Sequence, residues 1–143
     1  MNDLVIRPYR PSDEAAVINV WAECGLLHPE NNPKLDIERK MRVNPELFLV
    51  GEIGEQIVAT CMVGYEGHRG WINYLGVLPS FQRQGIASQI MLEAESRLRA
   101  LGCPKINLQV RGTNAKVVQF YESLGYANNQ CIGMGKRLVQ DEP

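Results

Sequence analysis

A short polar stretch in the middle of the chain, QRQGIA from Gln82 to Ala87, has residue types that suit the binding of an anion. It follows the apolar run WINYLGVLP and opens a segment with helical periodicity. The first turn of a helix leaves main-chain N–H groups unpaired and carries a partial positive charge, which favours a phosphate group. Gly85 and Ala87 are too small to block a close approach, although they also suit a packed turn. Arg83 and Arg111 would add charge-assisted contacts.

Hydrophobic periodicity predicts the elements that must position this stretch. Strands are expected at residues 4–9, 47–53, 56–65, 71–79, 105–111 and 131–138, and helices at 13–24, 34–43, 85–101 and 114–126. The order is β-α-α-β-β-β-α-β-α-β, an antiparallel meander followed by a β-α-β crossover.

The crossover places the anion-binding stretch at a favourable point of the sheet. It makes the strands at 71–79 and 105–111 parallel neighbours, and ligands of open α/β sheets bind beyond the carboxyl ends of such strands. QRQGIA begins just after the first of these ends, and Arg111 lies at the second. Chain order and local chemistry therefore predict the same anion site.

The totals predict one globular domain over residues 1–143 and exclude several classes of function. Hydrophobic residues make up 45% and charged residues 22%, and the formal net charge is −1. That charge gives no overall field to attract nucleic acid or an anionic membrane. Neither a P-loop nor a dinucleotide-binding glycine motif is present in the sequence.

The cysteines and the first residues indicate the cell compartment in which the protein works. The four cysteines are scattered without a CxxC pair, which favours reduced thiols over a metal site or disulfides. The segment MNDLVIRPY lacks the basic and apolar regions of a secretory signal. We therefore expect a cytoplasmic protein without a metal, a membrane anchor or a nucleic-acid partner.

QRQGIA matches the Q/R-x-x-G-x-G/A signature of the GCN5-related N-acetyltransferases, the GNAT family. LGVLP before it resembles that family's fourth strand, and NAKVVQFYESLGY resembles its late N…A…FYEKLGF segment. The segments EGHRG, YLGV, GCPKI and GKRL further resemble the small bacterial acetyltransferases called YpeA. The resemblance implies an α/β (α+β) GNAT fold: a mixed, mostly antiparallel twisted sheet of six to seven strands, a central β-α-β crossover and about four helices.

The resemblance also implies that acetyl-CoA is the co-substrate. The main-chain N–H groups of the signature and its flank would hold the pyrophosphate, a set comprising Gln82, Arg83, Gln84, Gly85, Ile86, Ala87 and Ser88. The main chain of Leu75 and Val77 would pair with the pantetheine arm, and the N–H of Val77 would face the thioester oxygen. Asn114 would contact the cofactor, and Tyr121 would lie near its sulfur.

Acetyl transfer to an amine requires a donor for the oxyanion, an acid for the leaving thiolate and a base for the amine. The N–H of Val77 suits the first role. Tyr121, protonated at neutral pH, is the expected general acid. The related ribosomal-protein alanine acetyltransferases have a Glu where this chain has Gln109, and an amide cannot accept the proton. Either an ordered water chain accepts the proton, or the base lies elsewhere, and the candidate bases are then Glu66, His68 and Tyr74.

Structural roles compete with several of these assignments. Tyr121 lies on the apolar stripe of its predicted helix and Asn114 can simply cap that helix. Asp36 and Arg39 read as surface residues, and Trp21 as a core residue.

The expected activity is acetyl transfer from acetyl-CoA to a primary amine of a metabolite or protein, in a ternary complex. The alternative is an acyl-CoA-binding sensor without catalysis, which the Gln at position 109 favours. An exposed final strand would also allow a homodimer to form edge to edge.

Overall fold

The computed structural model describes residues 3–142. Five strands and four α-helices are formed. The strands are β1 (Leu4–Pro8), β2 (Phe48–Ile53), β3 (Gln56–Tyr65), β4 (Gly70–Val77) and β5 (Ile106–Leu108), and the helices are α1 (Glu14–Glu23), α2 (Pro33–Lys40), α3 (Ile86–Ala100) and α4 (Ala115–Ser123).

One mixed sheet organises the molecule. Its strand order is β1-β2-β3-β4-β5; the first four strands are antiparallel neighbours, and β5 is parallel to β4. Helix α3 connects β4 to β5, so the predicted β-α-β crossover is confirmed. The α/β class, the mostly antiparallel sheet and the number of helices are confirmed as well.

The core lies where α1 and α3 pack against β3 and β4. Strand β3 is buried along most of its length because it lies in the middle of the sheet, and its residues from Val58 to Cys61 are completely inaccessible. The apolar stripe of α3 predicted by its periodicity is buried at Ile86, Ile90 and Leu98. This packing fixes the carboxyl end of β4 relative to the start of α3.

The prediction of a last strand is wrong for the described residues. Residues 131–138 form neither a helix nor a strand, and the expected six to seven strands are five. Ile132, Met134 and Leu138 are 89%, 91% and 88% exposed. Their alternating apolar pattern favours a strand, but a strand also needs a neighbour, and this segment has none. The homodimer expected from edge pairing of this strand loses its structural basis here.

Strand β5 is shorter than predicted, and β4 is irregular. Pairing between β4 and β5 ends at Ile72 and Leu108, so β4 from Asn73 onward has no strand beside it on that edge. On the other edge, β4 holds one more residue than β3 between two successive pairs, a β-bulge that includes Tyr74. Tyr74 adopts a left-handed φ of 52°. The sheet therefore opens at the end of β4, where the sequence predicts the site.

Candidate active site

The turn between β4 and α3 presents a row of unpaired main-chain donors. Within residues 3–142, the six N–H groups from Arg83 to Ser88 make no hydrogen bond with the protein, whereas Gln82 N and Gln89 N, on either side, are both bonded. Arg83 and Gly85 have left-handed φ values of 65° and 79°. Consecutive N–H groups in such a turn form a concave anion site at the positive end of the helix.

The role of Gly85 is conformational, and tight packing does not explain it. A Cβ atom built on Gly85 would meet nothing within 4 Å. Its positive φ disfavours any side chain, so glycine allows the turn to direct its N–H groups outward. Ala87 differs, because it is half-buried against the core. Of the two small residues, only Ala87 thus has a role in packing.

The end of β4 is held so that one edge faces outward. Leu78 N donates to Val58 O on β3 at 2.8 Å. Successive N–H groups of a regular strand alternate in direction, so the N–H group of Val77 points away from β3, toward the edge that β5 leaves free. Val77 O accepts from Gln82 Nε2 at 2.9 Å and from Cys24 Sγ at 3.2 Å.

A large open cleft of about 1600 Å³ is lined in part by the last residues of β5 and by the residues that follow them. Tyr74 and Tyr121 both line it, as do Gln109 and Arg111. The structure therefore brings together two of the candidate catalytic residues. The anion-binding turn lies outside the lining of this cleft, beyond the end of β4.

Tyr121 combines a packing role with an accessible position. Its residue surface is 8% exposed, and its ring packs edge-on against Phe120 and Tyr126. Its hydroxyl makes no hydrogen bond to any described residue, yet it is not a sealed polar atom. Burial, with a smaller contribution from the Cys61 thiol, raises the pKa of Tyr121 above its usual value. Tyr121 therefore keeps its proton at neutral pH and has it free to donate.

Tyr74 belongs to a chain of contacts that sequence reasoning did not find. Its ring stacks on Trp21 with 3.8 Å between centroids, and its hydroxyl donates to Asp36 Oδ2 at 2.6 Å. Thr60 Oγ1 accepts from Trp21 Nε1 at 3.0 Å and donates to Tyr74 O at 2.8 Å. Burial, and then the bond to Asp36, raise the pKa of Tyr74. No local motif could reveal this chain, because its members are far apart in sequence.

Glu66 and His68 are not brought to the cleft. They lie in the loop before β4, at the strand end opposite Val77, and the eight residues of β4 span roughly 25 Å. Glu66 Oε1 accepts from the N–H groups of His68 and Arg69. These two hydrogen bonds, the one from Arg69 first, lower the pKa of Glu66. The carboxylate thus organises its own loop, and neither Glu66 nor His68 is among the residues that line the cleft.

The remaining candidates lie around the cleft or at its border. Asn114 is the N-cap of α4, with Oδ1 accepting from Val117 N at 3.3 Å. Arg111 Nη2 lies 3.2 Å from His28 Nε2. Gln109 lies against the segment 131–138, since a Cβ atom built on Gly133 would be 2.8 Å from the Nε2 atom of Gln109. Capping is thus the observed role of Asn114.

Among residues 3–142 no three His, Cys, Asp or Glu side chains are grouped so as to hold a metal ion. In the same range, no helix is both long and apolar enough to cross a membrane.

The site has the form expected of a group-transfer enzyme. A long donor substrate can lie along the free edge of β4, with its anionic part on the turn and its reactive end beside the tyrosines of the cleft. Acyl transfer needs a preorganised donor for the developing oxyanion, and the outward N–H of Val77 is a group of this kind.

Comparison with known proteins defines the family. Residues 14–126 match the Acetyltransferase (GNAT) family. An acetyltransferase of Pectobacterium atrosepticum is 49% identical over 95% of this chain and 96% of its own length. An acetyltransferase of Sodalis glossinidius is 46% identical over 96% and 97%. The chain therefore belongs to the GNAT family and is an acetyltransferase, of the class that takes the acetyl group from acetyl-CoA.

Solved structures agree on the fold. The Ard1 protein of Thermoplasma volcanium superimposes with a TM-score of 0.79 at 23% identity, over 87% of this chain and 82% of its own. An aminoglycoside N-acetyltransferase in complex with CoA gives 0.77 at 14% identity, over 97% of both chains. At these identities the likeness concerns the fold alone. The finer resemblance to the YpeA type stays a prediction.

Proposed function

We propose that this protein transfers the acetyl group of acetyl-CoA to a primary amine, with both substrates bound together. The observation that carries the proposal is the row of six unpaired N–H groups from Arg83 to Ser88, continuous with the free edge of β4. A row of outward N–H groups suits a pyrophosphate, and a free strand edge suits an extended arm with amide groups. The CoA complex of the aminoglycoside enzyme with the same fold supports this assignment.

The residues of this chain fit the co-substrate in three places. The N–H groups of the turn would hold the pyrophosphate. Leu75 and Val77 would pair with the pantetheine arm through their outward main-chain groups. Bound acetyl-CoA would supply an activated thioester, and the N–H of Val77 would stabilise the charge that develops on the carbonyl oxygen.

Tyr121 would stabilise the leaving thiolate. It is protonated at neutral pH, it lines the cleft, and its hydroxyl has no partner among the described residues. Its raised pKa lies above the roughly 8.5 of an ordinary thiol. Complete proton transfer to a free thiolate would therefore be uphill. A hydrogen bond donated to the sulfur as the C–S bond breaks is the contribution that Tyr121 makes most readily.

The incoming amine would lose its proton to water in the open cleft. Gln109 cannot accept a proton, Glu66 and His68 lie at the far end of β4, and Tyr74 is a protonated donor to Asp36. A cleft of about 1600 Å³ has room for solvent beside the reacting groups. This route replaces the side-chain bases expected from the sequence.

Thermal unfolding with acetyl-CoA tests the proposal, with ATP and NAD as controls. A ligand at 100 times its dissociation constant stabilises the native state by about 2.7 kcal/mol. For a domain of this size, we expect acetyl-CoA to raise the Tm by roughly 5 °C or more. No shift would mean that the turn is a packing turn, an equal shift with ATP would mean that it is a general anion site, and either result would contradict the proposal. Amine-dependent release of free thiol would then distinguish the enzyme from a sensor.

The location and partners of the protein are also proposed. We propose that it works in the cytoplasm and binds no nucleic acid. The four unpaired cysteines and the near-zero net charge support this view.

A further inference from the structure

Tyr74 is held in an unfavourable conformation by three separate contacts. A left-handed φ is unfavourable for a non-glycine residue, and such residues persist where surrounding contacts determine them. Here the ring is stacked on the completely buried Trp21, the carbonyl accepts from Thr60, and the hydroxyl donates to Asp36. The bulge and these contacts direct the hydroxyl of Tyr74 across to α2. The conformation thus fixes the position of one carboxylate.

The carboxylate of Asp36 keeps an oxygen atom without a hydrogen bond to the described residues. Oδ2 accepts from Tyr74, while Oδ1 lies 3.8 Å from Arg39 Nη1, beyond hydrogen-bond distance. The guanidinium of Arg39 is directed to Asp141 instead, through two hydrogen bonds of 2.8 and 2.9 Å. The Asp36 side chain is 22% exposed and lines the cleft. A charged acceptor is therefore available to a ligand in the cleft.

The other charged groups near Asp36 are already engaged or face elsewhere. Lys40, one turn further along α2, is buried and donates to Val63 O at 2.5 Å, and burial lowers its pKa. Arg111 is paired with His28, on another part of the cleft lining. Glu122 of α4 is the other carboxylate that lines the cleft, and it is exposed. Asp36 is therefore distinguished by a fixed, half-buried carboxylate.

The position of Asp36 suits the acceptor side of the reaction. Tyr74, its hydrogen-bond partner, precedes Val77 by three residues of strand, a separation of roughly 10 Å. Tyr121 lines the same cleft. A molecule held at Asp36 would therefore share one cleft with Tyr74 and Tyr121.

We propose that Asp36 captures the acceptor as a cationic primary amine, and that Tyr74 is a positioning residue that orients its carboxylate. This inference rests on the proposed function and names the chemical class of its second substrate. The ammonium group contacts Oδ1 on entry, and its proton passes to water in the cleft before the nitrogen attacks the thioester. The role of Asp36 lies in binding, so its loss raises KM and leaves kcat nearly unchanged.

Steady-state thiol release tests the assignment with n-butylamine, benzylamine and the tripeptide Ala-Gly-Gly as acceptors. The variant Asp36→Asn keeps an oxygen for the Tyr74 hydroxyl but removes the charge. A charge-assisted hydrogen bond predicts an increase in amine KM of about 10- to 100-fold. The KM for acetyl-CoA should stay within about twofold. Tyr74→Phe keeps the ring on Trp21 and should raise the amine KM by about 3- to 10-fold.

Glu38→Gln is the matched control, because it removes an equal charge from the exposed side of the same helix. Glu38 pairs only with Arg42 among the described residues, at 2.8 Å. It should leave the amine KM unchanged. Equal amine KM values for wild type and Asp36→Asn would overturn the proposal, and so would the absence of turnover with all three amines. The Tm shift with acetyl-CoA does not involve Asp36, so it would show whether the proposed function fails as well.

Discussion

The two sides of the site are built in different ways. On the proposed cofactor side, the groups that would act are main-chain N–H groups of one continuous segment, 83–88, in which Arg83 and Gln84 are exposed and Ile86 is buried. On the proposed acceptor side, the groups that would act are the side chains of Asp36, Tyr74 and Tyr121, which come from α2, β4 and α4. The first side depends on local conformation, and the second depends on packing between distant elements.

This difference predicts which substitutions impair each side of the site. A main-chain site is sensitive to residues that set φ, whatever their side chains would contact. A side-chain site is sensitive to deletion of single polar atoms and to remote residues that support them. The three substitutions below test the contrast, in order of decreasing effect.

The variant Tyr121→Phe should cause the largest loss. It removes the hydroxyl that faces the cleft and keeps the ring that packs on Phe120 and Tyr126. Loss of one donor to a developing anion, or of a general acid, lowers kcat by about 100-fold or more. The acetyl-CoA dissociation constant, measured by titration calorimetry, should be unchanged.

The control for this variant is Tyr65→Phe. Tyr65 donates its hydroxyl to Gly67 O in the loop before β4, away from the cleft. It should retain turnover. A kcat for Tyr121→Phe equal to that of wild type would reduce Tyr121 to a packing residue.

The second substitution compares Gly85→Ala with Gly102→Ala. Both glycines have a positive φ, 79° and 84°, with nothing within 4 Å of an added Cβ, and they lie at opposite ends of α3. Each variant should lose about 1–2 kcal/mol of stability from backbone strain. Only Gly85→Ala should also weaken the binding of acetyl-CoA, by about tenfold or more (1.4 kcal/mol), because relaxation of φ redirects the N–H groups of the turn.

Denaturant titration and calorimetry would measure the two effects separately. Equal acetyl-CoA affinity in both glycine variants would contradict the main-chain site. It would place the pyrophosphate elsewhere on the molecule.

The third substitution, Thr60→Val, tests the remote support of the acceptor side. It removes the hydroxyl that accepts from the completely buried Trp21 and donates to the half-buried Tyr74. An unpaired buried donor costs about 1–3 kcal/mol, so the Tm should fall by about 3 °C or more. Looser placement of Tyr74 should raise the amine KM a few-fold, with acetyl-CoA binding retained.

The chain's other threonine supplies the control. Thr113→Val changes an exposed residue and should leave the Tm within about 1 °C of wild type. A Thr60→Val protein with a normal amine KM would show that Tyr74 holds its position without Thr60.

The elements near the cofactor side could be predicted because their signals are local. The start of α3 after Gly85 and the crossover from β4 to β5 follow from periodicity and turn residues. The segment 131–138 shows the limit of the same reasoning. Its alternating pattern is typical of a strand, but pairing depends on a neighbour that no local pattern specifies.

The candidate bases show the same limit in the site. Glu66 and His68 have suitable chemistry, yet the direction of β4 carries them to the opposite end of the sheet. Asp36 reads as a surface residue on its own helix, and only the bulge at Tyr74 brings a hydroxyl to it.

The sequence by itself determined the order of the elements from β1 to α4, the turn before α3 and the small residue that its conformation requires. These depend on φ preferences, helix-end N–H groups and periodicity, which act over a few neighbouring residues. Only the tertiary structure decided which side chains line the cleft proposed for the amine. Contacts such as Trp21 on Tyr74 and Tyr74 on Asp36 join residues 53 and 38 positions apart, and burial with hydrogen bonding selects them only when the sheet and helices have packed.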